Sequence, residues 1–306
     1  MSPSSRPPRP VLGRRTLLGG GLAAGALGVG AACSPDGPSG SSAPSALETP
    51  VPDDLPTGFG PDRVQRLDYG PDRETQFAEL RRTDGPSKGV VVIVHGGFWR
   101  SQYDLSLGQP LSAALVDEGW TALNVEYRRV GNGGGWPETF DDVAAAVDAL
   151  AGVDDVDTST VLTLGHSAGG HLAVWLAARP RLEPWRPVRV PITGAVSQAG
   201  VLDLVGAHEA GLGGGAVEQF LGGPPSDEWR LVDPLQQLPL DVPVRCVHGS
   251  GDDIVPLGQS ETYVEAARAA GADAALEVVE GDHFVVIDPA SEAWRVQLRL
   301  LEELRG

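Results

Sequence analysis

Thr160-Val161-Leu162-Thr163-Leu164-Gly165-His166-Ser167-Ala168-Gly169-Gly170-His171-Leu172-Ala173-Val174-Trp175-Leu176 decides how the chain is read. A β-rich run ends at a glycine, a Gly-x-Ser-x-Gly pattern follows, and an apolar, helix-like stretch begins at once. A serine between a strand and a helix sits on a strained turn at the helix N-terminus, with its hydroxyl presented at the strand's carboxyl end. Glycines at 165, 169 and 170 let strand and helix pack closely around that turn. The same pattern occurs at Gly85-Pro86-Ser87-Lys88-Gly89. Ser87, however, precedes a strand within a Pro/Gly turn and reads as a loop residue.

Outward from this junction, short apolar runs alternate with helix-like segments from about residue 58 onward. Val64–Tyr69 and Thr75–Arg82 read as an opening antiparallel pair with a Gly-Pro-Asp turn. Gly89–Val94, Thr121–Tyr127, Val161–Leu164, Ile192–Gln198, Val242–Val247 and Ala275–Val279 have the length and β-branched content of buried strands. Leu111–Glu118, Pro137–Ala151, Ala168–Ala178, Ser260–Ala270 and Ser291–Leu304 are the amphipathic candidates between them. Such alternation predicts one α/β domain over 58–306, with a mostly parallel sheet covered on both faces. Function in such sheets gathers in loops at the carboxyl ends of the strands.

The 306 residues carry 23 basic and 41 acidic side chains, a formal charge of −18. That balance argues against nucleic acid, whose binding needs clustered Lys and Arg, and against adsorption to an anionic membrane. Two cysteines cannot build a disulfide framework, and neither CxxC nor HExxH spacing occurs, so no metal and no cofactor is expected. Residues 1–32 hold Arg6, Arg9, Arg14 and Arg15, no acid, and a Gly/Ala/Leu run of about 16 residues after the Arg14-Arg15 pair. They read as a twin-arginine-type signal peptide, too short in its apolar part to span a bilayer. Gly30-Ala31-Ala32-Cys33 is similar to a bacterial lipobox, which makes Cys33 a candidate for lipidation. The Ser/Pro/Gly-rich residues 33–57 read as a tether. The expectation is therefore an exported protein at the cell surface, anchored through Cys33, or else soluble and secreted. Cys246, within a strand, reads as a buried free thiol.

Acyl-transfer chemistry at Ser167 would need N–H donors for a developing oxyanion. His95-Gly96-Gly97-Phe98-Trp99-Arg100 follows the most apolar strand, and the amides of Gly97, Phe98 and Ala168 are the candidate donors. A plain tight turn would account for the two glycines but not for His95 or the Phe-Trp pair. In the chain order serine, acid, histidine, only His283 among six histidines lies beyond the acid candidates, in Gly281-Asp282-His283-Phe284. His95 and His248 read as hydrogen-bonders at strand ends, and His208 has no partner visible in the sequence. The acid lies in His248-Gly249-Ser250-Gly251-Asp252-Asp253-Ile254-Val255-Pro256. Asp252 is the choice, with Asp253 at the surface or beside it and Asp203 as an outside candidate. Trp99, Trp136 and Phe284 fall in or near functional loops and are candidate pocket residues, as more weakly are Phe140 and Trp185. Arg100 reads as salt-bridged or as a partner for a substrate carboxylate. Residues 202–239 leave room for a small cap at most.

Taken together, HGGFWR, GHSAGGH, HGSGDDIVP and GDHF resemble the α/β-hydrolase superfamily in type and order. The HGGFW and GHSAGGH pairing is similar to the kynurenine formamidase (arylformamidase) and small carboxylesterase branch. The resemblance implies Ser167 as nucleophile, His283 as base and then acid, and Asp252 as the residue orienting it. It implies a serine hydrolase that cleaves small carboxylic esters through an acyl-enzyme. The alternatives are an amidase acting on N-formyl amides, an extracellular carbohydrate or xenobiotic deacetylase, and an inactive hydrolase fold used for binding.

Overall fold

Val90–Val94 shows how the sheet is assembled. All five residues of VVVIV are buried, and because side chains alternate across a strand they need cover on both faces. Val90, Val92 and Val94 belong to one hydrophobic core, whereas Val91 and Ile93 belong to a second. The structure, a computed structural model, describes residues 64–306. The expected signal (1–32), the tether (33–57) and Cys33 lie outside the described residues.

Among the described residues, eight strands form one sheet: β1 (Val64–Asp68), β2 (Phe77–Arg81), β3 (Val90–Val94), β4 (Thr121–Val125), β5 (Val161–His166), β6 (Gly194–Gln198), β7 (Val244–Gly249) and β8 (Ala274–Val279). Their order is β1-β2-β4-β3-β5-β6-β7-β8. β1 and β2 pair antiparallel, as do β2 and β4, and every later pairing is parallel. Val94 pairs with Gly165, Gly165 with Ser197, and Gly249 with Val279. This register lines the carboxyl ends of β3, β5, β6, β7 and β8 along one rim, where the loops holding the candidate residues emerge.

Among the described residues, seven α-helices accompany the sheet: α1 (Gln109–Asp117), α2 (Glu138–Ala149), α3 (Ala168–Ala178), α4 (Leu204–Glu209), α5 (Leu212–Leu221), α6 (Gly258–Ala269) and α7 (Glu292–Arg305). α1 and α7 cover the Val91 face, with Leu111, Leu115, Trp294, Leu300, Leu301 and Leu304 buried there. α2, α3 and α6 cover the Val90 face through Phe140, Val143, Leu172, Trp175, Tyr263 and Val264. α7 shows why such segments are helical: apolar residues recur at three- and four-residue spacing, and Ser291 Oγ caps the first turn by accepting from Trp294 N–H at 3.0 Å. All eleven residues of α3 are buried.

Residues 202–239 hold no more than the small cap that the sequence leaves room for. There α4, α5 and two short 3-10 turns bury Leu204, Ala207, Ala216, Val217, Phe220 and Trp229 in the α2/α3 core. Those residues keep helical spacing, and their apolar faces find cover only by packing down.

Candidate active site

Ser167 joins β5 to α3 with φ 54° and ψ −119°, a conformation that costs a non-glycine residue on the order of 1–3 kcal/mol. Neighbouring backbone holds it there. Ser167 N–H donates to Gln198 O at 2.8 Å, and Ser167 O accepts from His171 N–H at 3.2 Å and Val201 N–H at 3.3 Å. The helix start sits hard against β3: a Cβ on Gly169 would lie 2.0 Å from Val94 O. The Ser167 hydroxyl therefore stands at the positive end of α3, where the Ala168 amide has no helical carbonyl within reach.

The loop after β3 passes over this turn. A Cβ on Gly96 would fall 2.8 Å from His166 O and 3.1 Å from Ser167 Cβ. Gly97, Phe98 and Trp99 follow with φ of 109°, 53° and 54°, so three consecutive residues are held in the left-handed region. His95 fixes the start of this loop from beneath. Its Nδ1–H donates to Gly96 O at 2.8 Å, Arg129 Nη1 donates to its Nε2 at 3.2 Å, and Tyr127 Oη donates to His95 O at 2.7 Å. Burial, reinforced by the Arg129 charge, pushes His95 down to about 3, so the ring stays neutral and can accept from Arg129. Arg129 is itself ion-paired with buried Glu126.

Asp252 and His283 arrive from the loops after β7 and β8. His283 Nδ1 lies 2.6 Å from Asp252 Oδ2, and Asp252 Oδ1 accepts from Ile254 N–H at 2.9 Å and Val255 N–H at 2.8 Å. Burial works to raise the Asp252 carboxyl, but hydrogen bonds from His248, His283 and Val255 outweigh it and hold the group well below the ordinary carboxylate range. Of the other acids weighed, Asp253 is exposed. Asp203 caps α4 by accepting from Gly206 N–H at 2.8 Å. Ser87 is a turn residue whose hydroxyl donates to Gly89 O at 2.8 Å.

His166 is the residue whose part the sequence did not reveal. It links the two halves of the site: its Nε2 lies 3.0 Å from His283 O, and the rings are 4.5 Å apart. Burial pushes it down to about 3.

The expectation that Trp99 lines a pocket is corrected by its burial. The ring has no exposed surface, stacks on Phe220 at 4.6 Å and donates from Nε1 to His171 Nδ1 at 3.2 Å. Trp136 is only partly buried, edge-on to Phe140 at 5.6 Å and to Trp185 at 5.8 Å. Phe284 remains at the rim, 39% exposed and 5.4 Å from the His283 ring. Arg100 is occupied by protein: Nη2 donates to Gly213 O at 2.7 Å and Gln219 Oε1 at 3.2 Å, tying the start of α5 to the Gly97–Arg100 loop. His208 packs edge-on to Trp229 at 5.4 Å. Cys246 is a buried free thiol, pushed up to about 12 by burial. Among the described residues, no group of three His, Cys, Asp or Glu side chains is placed to hold a metal ion.

The BD-FAE family model matches residues 80–266. Among curated proteins, the chain is 28% identical over 249 residues to Esterase LipC of Mycobacterium tuberculosis, covering 73% of this chain and 61% of that protein. It is 27% identical over 225 residues to the isoprenylcysteine alpha-carbonyl methylesterase ICME of Arabidopsis thaliana, covering 63% and 49%. The chain thus spans about half to three-fifths of the length of these relatives. Among solved structures, it resembles Esterase B from Lactobacillus rhamnosis with a TM-score of 0.68 and 20% identity, covering 80% of this chain and 87% of that one. It also resembles Thermogutta terrifontis esterase 2, with a TM-score of 0.65 and 22% identity over 83% of this chain and 96% of that one. These likenesses place the sheet and its helices in the α/β-hydrolase fold.

Proposed function

The chain belongs to the BD-FAE family, and from that premise we propose that it is a serine hydrolase that cleaves small carboxylic esters. The observation that carries the proposal is the 2.6 Å hydrogen bond between Asp252 and His283, on a loop whose His283 carbonyl is bonded to the residue beside Ser167. In this reading Ser167 Oγ attacks the ester carbonyl while His283 Nε2 takes its proton. Asp252 holds the Nδ1–H tautomer and stabilises the imidazolium. The amides of Gly97, Phe98 and Ala168 receive the oxyanion. Collapse of the tetrahedral intermediate sends the proton from His283 to the leaving alcohol and leaves Ser167 acylated. Water, deprotonated by His283, then releases the acid. The relatives named as esterases support the chemistry.

A fluorophosphonate probe tests this directly. The purified protein should be labelled once, at Ser167, and Ser167→Ala should lose both the label and hydrolysis of p-nitrophenyl acetate. Label retained by the variant at another residue would overturn the assignment. For the residues before the domain, we propose export directed by 1–32 and a lipid at Cys33. Incorporation of labelled palmitate in cells should vanish in Cys33→Ala, and equal labelling of both proteins would reject the anchor.

A further inference from the structure

His248 closes β7, four residues before Asp252, and has no exposed surface. Both of its ring nitrogens are engaged. Nε2 lies 2.9 Å from Val255 O and 3.2 Å from Asp252 Oδ2. Both partners are acceptors, so Nε2 carries the proton and Nδ1 is the acceptor. Ser260 Oγ, on α6, lies 2.8 Å from Nδ1 and donates to it. Asp252 Oδ2 therefore faces two imidazole N–H groups, one from His283 and one from His248, while Oδ1 takes the Ile254 and Val255 amides.

We infer that His248 is a positioning residue for the Asp252–His283 pair: its Nε2–H fixes the rotation of the carboxylate and takes a share of the Oδ2 charge that His283 faces. The inference rests on the reading of Ser167, Asp252 and His283 as a catalytic set. A carboxylate oxygen divided between two donors stabilises an imidazolium less than one that faces a single donor. Removing the His248 donor thus makes His283 more basic and leaves Oδ2 freer to swing. The other groups around the pair do not share this ionisation. His166, from β5, is held neutral by burial. Cys246 on β7 and Tyr263 on α6 are both pushed up by burial. Asp282 is occupied by the Phe284 and Val285 amides at 2.9 and 3.1 Å, and Asp253 is exposed.

The test is the pH profile of kcat/KM on a short nitrophenyl ester, measured with the full protein. His248→Met removes the donor while filling the space, and His248→Gln can restore an N–H near the Nε2 position. The acid limb should move up by about half a pH unit or more in His248→Met, with a several-fold lower plateau kcat, and should return toward the parent in His248→Gln. A limb that stays within about 0.2 unit in folded His248→Met, or that fails to return in folded His248→Gln, overturns the role. If His248→Met loses its thermal transition, Ser260→Ala decides instead. With the anchor of Nδ1 gone, the limb should move the same way by a smaller amount, and an unmoved limb overturns the inference. A parent protein that fluorophosphonate leaves unlabelled at Ser167 overturns the catalytic reading itself, a result separate from any shift in the variants.

Discussion

His166 Nε2 and the main-chain oxygen of His283 are 3.0 Å apart, joining residues 117 positions apart in the chain. The link fastens the β8 loop to the end of β5, so the histidine that would accept the Ser167 proton is located by the residue next to Ser167. Because the ring is buried and neutral, the bond is an ordinary N–H to carbonyl bond and does not depend on pH above about 5.

His166→Leu should therefore lower kcat about ten- to a hundredfold with little change in KM, because the His283 loop loses its tether without losing its chemistry. His166→Gln should recover part of the loss. Steady-state kinetics on p-nitrophenyl acetate check this, and an unchanged kcat in the leucine variant would refute the tether.

Asp252→Asn should lower kcat by about 10³–10⁴, because the oxygen facing His283 Nδ1 is replaced or turned and the correct tautomer is no longer held. Asp253→Asn, one residue on but exposed, should stay within about twofold, since a surface carboxylate contributes little. The reverse ranking would move the acid to Asp253.

Acid should destabilise the fold from the histidine range downward. Burial pushes His95 to about 3, His166 to about 3 and His171 to about 4, against about 6.5 in an unfolded chain. Between those values the unfolded state binds protons that the native state does not. Stability therefore falls as pH drops below about 6.5, by up to ~1.4 kcal/mol per pH unit for each histidine. Asp252 adds a loss at lower pH, since its native carboxyl lies below the unfolded value. Urea midpoints at pH 7.5, 6 and 5 should decline steadily; equal midpoints would contradict the burial argument.

Gly169→Ala should cost about 3 kcal/mol or more. The added methyl would meet Val94 O at 2.0 Å and His95 O at 2.5 Å, both backbone atoms that cannot swing aside. Equilibrium urea unfolding measures it, and a loss under about 1 kcal/mol would show that α3 can back away from β3.

Much of this arrangement was legible because its signals are local. VVVIV is a buried strand on composition alone, and a Gly-x-Ser-x-Gly between a strand and a helix is a turn whatever surrounds it. Chain order then leads from Ser167 to Asp252 and His283, whose pairing is a long-range contact announced by short motifs. The parts that stayed hidden depend on partners far along the chain. Nothing near His166 indicates that its ring will meet a carbonyl at residue 283. Trp99 looked like pocket lining because its burial under Phe220 and His171 requires the placement of α5 and α3. α5 itself was masked by Gly211-Leu212-Gly213-Gly214-Gly215, which reads as loop although Ala216, Val217, Phe220 and Leu221 keep helical spacing.

The cover that α7 gives the Val91 face has a consequence for biosynthesis. Trp294, Leu300, Leu301 and Leu304 share a core cluster with Leu162, Leu164 and Val196 of β5 and β6, residues that leave the ribosome roughly a hundred to a hundred and forty positions earlier. Until α7 emerges, the part of that face formed by β5 and β6, beyond the cover of α1, is bare, and a nascent chain exposing it is prone to aggregate. Closure of this core therefore waits for the synthesis of α7. Loss of Leu300, Leu301 and Leu304 would open the core itself rather than trim a surface segment.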